Sequence, residues 1–258
     1  MTFKTPKTNK MQKRKAAITL LTLSLAVTSI VPGSFGTENP LDTGEKTSHP
    51  ATVDVYDWFQ IGEYLKACEY VRFYQSIADN LENTFTKFSD LLVKEHCSSQ
   101  TLSVLKQLVE VCKTLPLKDP QHQWSNAELK PLWDAQGKLY NAIIEDEKKT
   151  PESCVFFNLG SGALDLAWGI PQIQSNQEML KQRVESTGQT FATLSSYELY
   201  KGVYGSLNPD VVHAMEIIMS VSSKVADPME ELTDADISRA VEAGKVIRAL
   251  GKQHKLLK

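Results

Sequence analysis

The sequence lacks most of the signatures by which exported or catalytic proteins announce themselves. It has no Asn-x-Ser/Thr sequon, no Cys-x-x-Cys pair, and no His-x-x-x-His or His-Glu-x-x-His spacing. The missing Cys-x-x-Cys excludes the common redox, zinc-ribbon and haem-attachment motifs, and the spacing of the four cysteines fits no standard zinc site. The five histidines (His49, His96, His122, His213 and His254) are spread singly along the chain. No Walker-type phosphate loop and no Gly-x-Ser-x-Gly elbow occurs, which removes the best-marked nucleotide and acyl-transfer chemistries. Thirteen glycines and eleven prolines scattered over 258 residues form no periodic or low-complexity tract. No apolar run reaches the about 20 residues that a membrane-spanning helix requires. What remains, 41% hydrophobic and 23% charged residues, is the ordinary balance of a folded globular chain.

Charge of one sign is also missing, but only locally. Residues 1–15 contain six basic side chains and no acid, and residues 16–31 (AAITLLTLSLAVTSIV) contain no charge. Pro32-Gly33-Ser34-Phe35-Gly36 follows, with small residues at 34 and 36. A basic segment, an apolar segment and a small-x-small site are the parts of a secretory signal peptide, here ending at Gly36, with Met1 or Met11 as the start. Of the 28 basic side chains, 22 then remain against all 31 acids, a net charge of about −9. So acidic a chain is poorly suited to nucleic acid or an anionic bilayer, both of which select Lys/Arg surfaces. After cleavage no stable membrane anchor is expected. A periplasmic or secreted location follows, and the missing sequon points to a bacterial source.

An oxidising compartment gives the even set Cys68, Cys97, Cys112 and Cys154 a meaning, namely two disulfides. Three pairings are open. A helix order of up, down and up leans towards Cys97–Cys154 with Cys68–Cys112. The second pair needs a break in the first helix, because a straight hairpin would hold those cysteines about 20 Å apart along its axis.

The body reads as all-α, a helical bundle with a long N-terminal hairpin. Residues 37–53 form a flexible leader and 54–258 a single helical domain, with a possible subdivision into 54–150 and 151–258. Trp58, Ile61, Leu65, Cys68, Val71, Ile77, Leu81, Phe85, Phe88 and Leu92 recur at three- and four-residue steps with few exceptions, a core-facing stripe over 54–95. Asp79, Asn80 and Asn83 mark a candidate break within residues 79–83. The extra aromatics of this run (Tyr56, Phe59, Tyr64, Tyr70, Phe73 and Tyr74) exceed one stripe, so the helix should meet neighbours on two sides. A second helix is expected over 100–115, closed by Pro116 and Pro120. Ser125 and Glu128 form a capping box with Trp124 stapled on Leu129, one turn before a main helix that starts at Pro131. One or two helices fill 173–204, interrupted around Ser186-Thr187-Gly188. Asn208-Pro209-Asp210 and Thr233-x-x-Asp236 start the last two, and the spacing of Ala240 and Gly244 fits close packing inside the chain.

Chemistry is sparse. Val155-Phe156-Phe157-Asn158-Leu159-Gly160-Ser161-Gly162-Ala163-Leu164 resembles, over about ten residues, the first motif of the S-adenosylmethionine-dependent methyltransferases, a strand entering a Gly-x-Gly turn. That resemblance implies a parallel-sheet enzyme. The chain departs from the motif at Asn158, where the family has an acid, and supplies no further βα units. A buried apolar segment, hairpin or turn is the competing reading. His213, Met215 and Met219 could offer soft ligands to copper(I), but His213 points away from the two methionines. Asp54 with Asp57, Glu145 to Glu147, and Glu230 with Glu231 supply carboxylates that would do acid–base work only if buried against one another.

The sequence therefore favours a non-enzymatic exported helical protein without a cofactor, working through an unidentified protein partner. An adaptor, a secretion-apparatus component and a host-directed factor all fit. The alternatives are a periplasmic ligand-binding bundle with an aromatic-lined cavity, and an enzyme whose site carries no recognised motif.

Overall fold

A computed structural model describes residues 53–70, 81–115, 125–147, 150–173, 177–226, 230 and 232–258. The chain divides into two units, residues 1–50 and 51–258. The expected signal peptide and nearly all of the leader lie outside the described residues. Among the described residues there is no strand, only an isolated antiparallel bridge between Leu207 and Leu257, and the all-α expectation holds. No described helix is long and apolar enough to cross a membrane.

Local signals set the helix ends. Helix α1 (Val55–Glu69) begins where the Asp54 carboxylate accepts the N–H groups of Tyr56 (3.0 Å) and Asp57 (3.4 Å). It ends at Glu69, so the apolar stripe over 54–95 is not one rod. The expected break at Asp79 and Asn80 lies outside the described residues, and Asn83 is already inside helix α2 (Leu81–Lys94). His96 closes α2 in the left-handed region (φ 55°), letting the Cys97 N–H reach back to the Leu92 carbonyl at 2.9 Å. Helix α3 (Ser99–Thr114) follows at once and buries Thr101, Leu105, Leu108 and Cys112 on one face.

Helix α4 (Asn126–Glu147) starts at the expected box. The Glu128 N–H donates to Ser125 Oγ, and the Ser125 N–H donates to Glu128 Oε2 at 2.9 Å. The staple residue Trp124 is outside the described residues. Pro131 does not delay the helix, contrary to expectation, and α4 runs through it. The ring removes a donor to the Ala127 carbonyl, but Ala127 and Pro131 are both exposed, so water can serve that carbonyl.

Helix α5 (Pro151–Leu164) is capped by Thr150, whose hydroxyl accepts the Ser153 N–H at 3.1 Å. It passes into a π-helical turn, Asp165–Gly169, and a short helix α6 (Ile170–Ile173). Helix α7 (Gln177–Ser196) runs unbroken through Ser186-Thr187-Gly188, where an interruption was expected. A 3₁₀ turn (Glu198–Tyr200) and helix α8 (Lys201–Ser206) lead to α9 (Pro209–Ala226) and α10 (Asp234–Lys252). Asn208 Oδ1 accepts the Asp210 N–H, and Thr233 with Asp236 forms the capping box expected for α10. Lys255 and Lys258 do not sit on the helix end. The Lys258 N–H and Nζ bond to the carbonyls of Ser206 and Gly205, which ties the C-terminus to α8.

Helix α5 is the axis of the body, and the reason is compositional. Val155, Phe156, Phe157, Leu159, Ala163 and Leu164 are all at most 2% exposed, so the helix is apolar all round and must be surrounded. Helix α1 packs on it most closely, α10 and α7 cover other sides, and α9 bridges α7 and α10.

Candidate functional site

The glycine string is neither a strand nor a turn. Its glycines lie inside α5, and a helix there has no loop in which a cofactor's phosphate or ribose could settle. Their use is packing. A Cβ on Gly160 would stand 1.9 Å from the Phe59 carbonyl oxygen, and one on Gly62 would stand 2.0 Å from that of Phe157. The α1 and α5 backbones therefore touch through two reciprocal glycines. Gly244 of α10 meets the same layer from another side, where a Cβ would fall 2.7 Å from Leu166 Cβ, so the Ala240–Gly244 pair serves packing within the chain.

The four cysteines do not form the expected bonds. None is in a disulfide, neither Cys97–Cys154 nor Cys68–Cys112. Each sits in a different local setting. Cys68 Sγ donates back to the Tyr64 carbonyl within α1, and Cys154 Sγ donates to the Tyr200 hydroxyl at 3.1 Å. Cys112 is wholly buried in apolar surroundings, which push its thiol up to about 12. The up–down–up ordering behind the expected pairing failed because α5, rather than the end of α4, carries Cys154.

The copper(I) candidates are not gathered. Met215 is fully buried, whereas His213 is exposed beside Glu216. Among the described residues no group of three His, Cys, Asp or Glu side chains converges as a metal site would require.

The paired acids behave differently from expectation. Asp54 and Asp57 are both bound to Lys94 at the end of α2. Burial raises Asp54, but the Lys94 ammonium and the two backbone donors outweigh it and hold the carboxyl below its ordinary value. Among the described carboxyl groups the one that moves most is Glu95, which sequence reasoning did not single out. Burial and the neighbouring Asp57 carboxylate raise it to about 7, against a smaller opposing effect of Trp58. Asp146 is a structural acid. Its Oδ2 accepts from the Ser98 N–H, the Ser98 hydroxyl and the Thr101 hydroxyl at 2.9, 3.2 and 2.5 Å.

The π-turn concentrates charge inside the body. Asp165 is 3% exposed and accepts from the Tyr70 hydroxyl, with Lys66 at 3.6 Å and Arg183 at 3.5 Å. Gly169 makes room, since a Cβ there would fall 1.9 Å from the Tyr70 oxygen. Burying a carboxylate is costly unless it is paired and hydrogen-bonded in this way. Its ties run to α1 and α7, so the cluster clamps three elements together. No sequence signal marked Asp165, because its partners lie 95 and 99 residues back and 18 ahead.

Two surface recesses stand out among the described residues. The first is an open cleft of about 420 Å³ between α1, the π-turn and the end of α10, with Phe59, Tyr64, Leu164 and Trp168 on its walls. The Arg248 guanidinium lies 4.8 Å over the Trp168 ring and donates to Glu63. The α1 aromatics are mostly spent on packing. Trp58 and Phe59 are in the core, Tyr64 stacks on Phe88, and Tyr56 stacks on His254. The second recess is a groove of about 590 Å³ between α9 and α10. Ala214, Ile217, Ala243 and Val246 form its apolar lining, and Asp210, Arg239 and Glu242 lie along it. Val246 is 42% exposed at its edge.

The comparisons find no matching family model, no matching curated protein and no matching solved structure.

Proposed function

We propose that this is an exported, non-enzymatic helical protein that acts by protein contact, taking the apolar stripe of a partner's amphipathic helix into the α9–α10 groove. The observation that carries the reading is the groove itself. The packed pair α9 and α10 leaves a channel with aliphatic and alanine lining and a charged edge. That arrangement suits helix-in-groove recognition, in which anchors one turn apart enter an apolar channel. Export is supported by the basic, apolar and small-residue order of residues 1–36. A periplasmic or secreted location goes with it.

The test is site-specific photo-crosslinking in the native host. A benzophenone amino acid replaces Val246 in one strain and the exposed Gln107 of α3 in another. The reading expects a discrete adduct with another protein from position 246 and none from position 107. A homodimer adduct, or equal labelling from both positions, overturns it. N-terminal sequencing of the host protein checks export separately. A terminus after Gly36 supports it, and an intact Met1 or Met11 terminus contradicts it.

A further inference from the structure

We infer that the cleft between α1, the π-turn and the end of α10 binds a small aromatic carboxylate. The inference is independent of the α9–α10 groove, which lies on other residues.

Size and lining come first. About 420 Å³ falls within the range of small-molecule sites. The walls are apolar and aromatic at the base, where Leu164 and Phe59 are each 2% exposed. Trp168 and Tyr64 stand beside them. Flat rings are the natural filling for a recess with aromatic edges on two sides, since edge-to-face contact adds to burial.

Charge fixes the rest. The chain as a whole carries 31 acids against 28 bases. The cleft reverses that balance. Arg248, Lys252 and the His254 imidazole line it, and among the described residues Glu63 is the only acid that does. Glu63 is ion-paired with Arg248, and both side chains are less than 20% exposed. That pair neutralises itself and leaves the Lys252 ammonium as the surplus charge. The Arg248 guanidinium is also pre-positioned, with its central carbon over Trp168 and its Nε on Glu63. A carboxylate placed between Lys252 and Arg248 would gain one full charge and a planar donor, while its ring lies on Leu164 beside the Trp168 ring that Arg248 covers. A ligand cation is disfavoured, because Arg248 already occupies the ring face it would use.

The probe is 1-naphthoate, titrated calorimetrically into the full chain, with neutral 1-naphthamide as its uncharged match. We expect saturable one-site binding of the acid and affinity for the amide weaker by about tenfold, the scale of one partly screened charge. Lys252 is exposed, so K252E leaves the fold intact. It should lower naphthoate affinity by about tenfold or more, while K106E on α3 should not. Amide binding as tight as the acid's overturns the inference. So does K252E binding like wild type, or no saturation up to the solubility limit. If the K252E fold is in doubt, an unchanged circular dichroism melt supplies the control. Val246 variants, which bear on the protein-contact reading, should leave naphthoate affinity unchanged.

Discussion

Gly160 and Gly62 show how much a single missing carbon can decide. With backbone oxygens about 2 Å from where a Cβ would stand, neither neighbour can step aside as a flexible side chain would. Gly160→Ala should therefore cost about 3 kcal/mol or more, as overpacking in a rigid core does. Gly137 supplies the opposite sign. It lies in the exposed middle of α4 with nothing within 4 Å of its Cβ position, so Gly137→Ala should stabilise by about 0.5–1 kcal/mol through helix propensity. Urea denaturation of the two variants checks both. Equal effects would remove the backbone-contact account of the α1–α5 crossing.

Glu95 gives a second residue-scale expectation. Its carboxyl is raised to about 7 in the folded protein, so the native state holds that proton more tightly than the unfolded chain does. Its contribution is fully present at low pH and is lost as pH rises from the ordinary glutamate range through about 7. Glu95→Gln removes the charge beside Asp57 at nearly constant shape. It should flatten this slope and stabilise the protein at pH 8 by about 1 kcal/mol, after allowing for the solvent around a half-buried group. Asp54 and Asp236 act in the other direction. Lys224 and Thr233 lower Asp236 to about 2, so its contribution is lost only in strong acid. Denaturation midpoints at several pH values separate the two ranges.

At the scale of elements, caps and periodicity were legible and interruptions were not. The Ser125–Glu128 and Thr233–Asp236 boxes and the Asn208 start all rest on side chains within three residues of the backbone they serve, which is information a local reading holds. Pro131 and Gly188 looked like breaks by the same local logic. Tertiary context overruled it, through solvent at the Ala127 carbonyl and through Ser222, which fills the space a Cβ on Gly188 would take. The mid-helix glycines of α5 were misread for a related reason. Glycine marks both turns and close helix approach, and only the partner helix distinguishes them. Asp146 extends the point, since the acid that caps α3 comes from the far end of α4. Asp146→Ala removes the acceptor for three donors and should cost about 2–3 kcal/mol, with hydrogen exchange at the α3 N-terminus rising more than at α10. Uniform exchange increases would mean that the contact is not local in effect.

At the scale of the whole molecule, the helical class was read correctly because amphipathic periodicity is abundant, while long-range pairing was not. The disulfide pairing depended on the order in which helices return to one another, and α5 running through the centre of the body changed that order. The Asp165 clamp was invisible for the same reason. Its buried carboxylate holds α1 and α7 to the π-turn, and Asp165→Asn would leave Lys66 and Arg183 without that charge, at a cost of about 3–5 kcal/mol. Calorimetric unfolding of D165N measures it, and a loss under 1 kcal/mol would reduce the clamp to a bystander. Little of the functional surface could be seen in advance. A groove belongs to two helices jointly, and neither Ile217 nor Val246 is unusual in its own helix. The most direct measurement of the central reading is quantitative co-purification of the native protein from its source, wild type beside Val246→Glu, with equal melting temperatures as the control. The account predicts a discrete partner retained by wild type and depleted about tenfold by the variant. An unchanged partner set in the folded variant would contradict it.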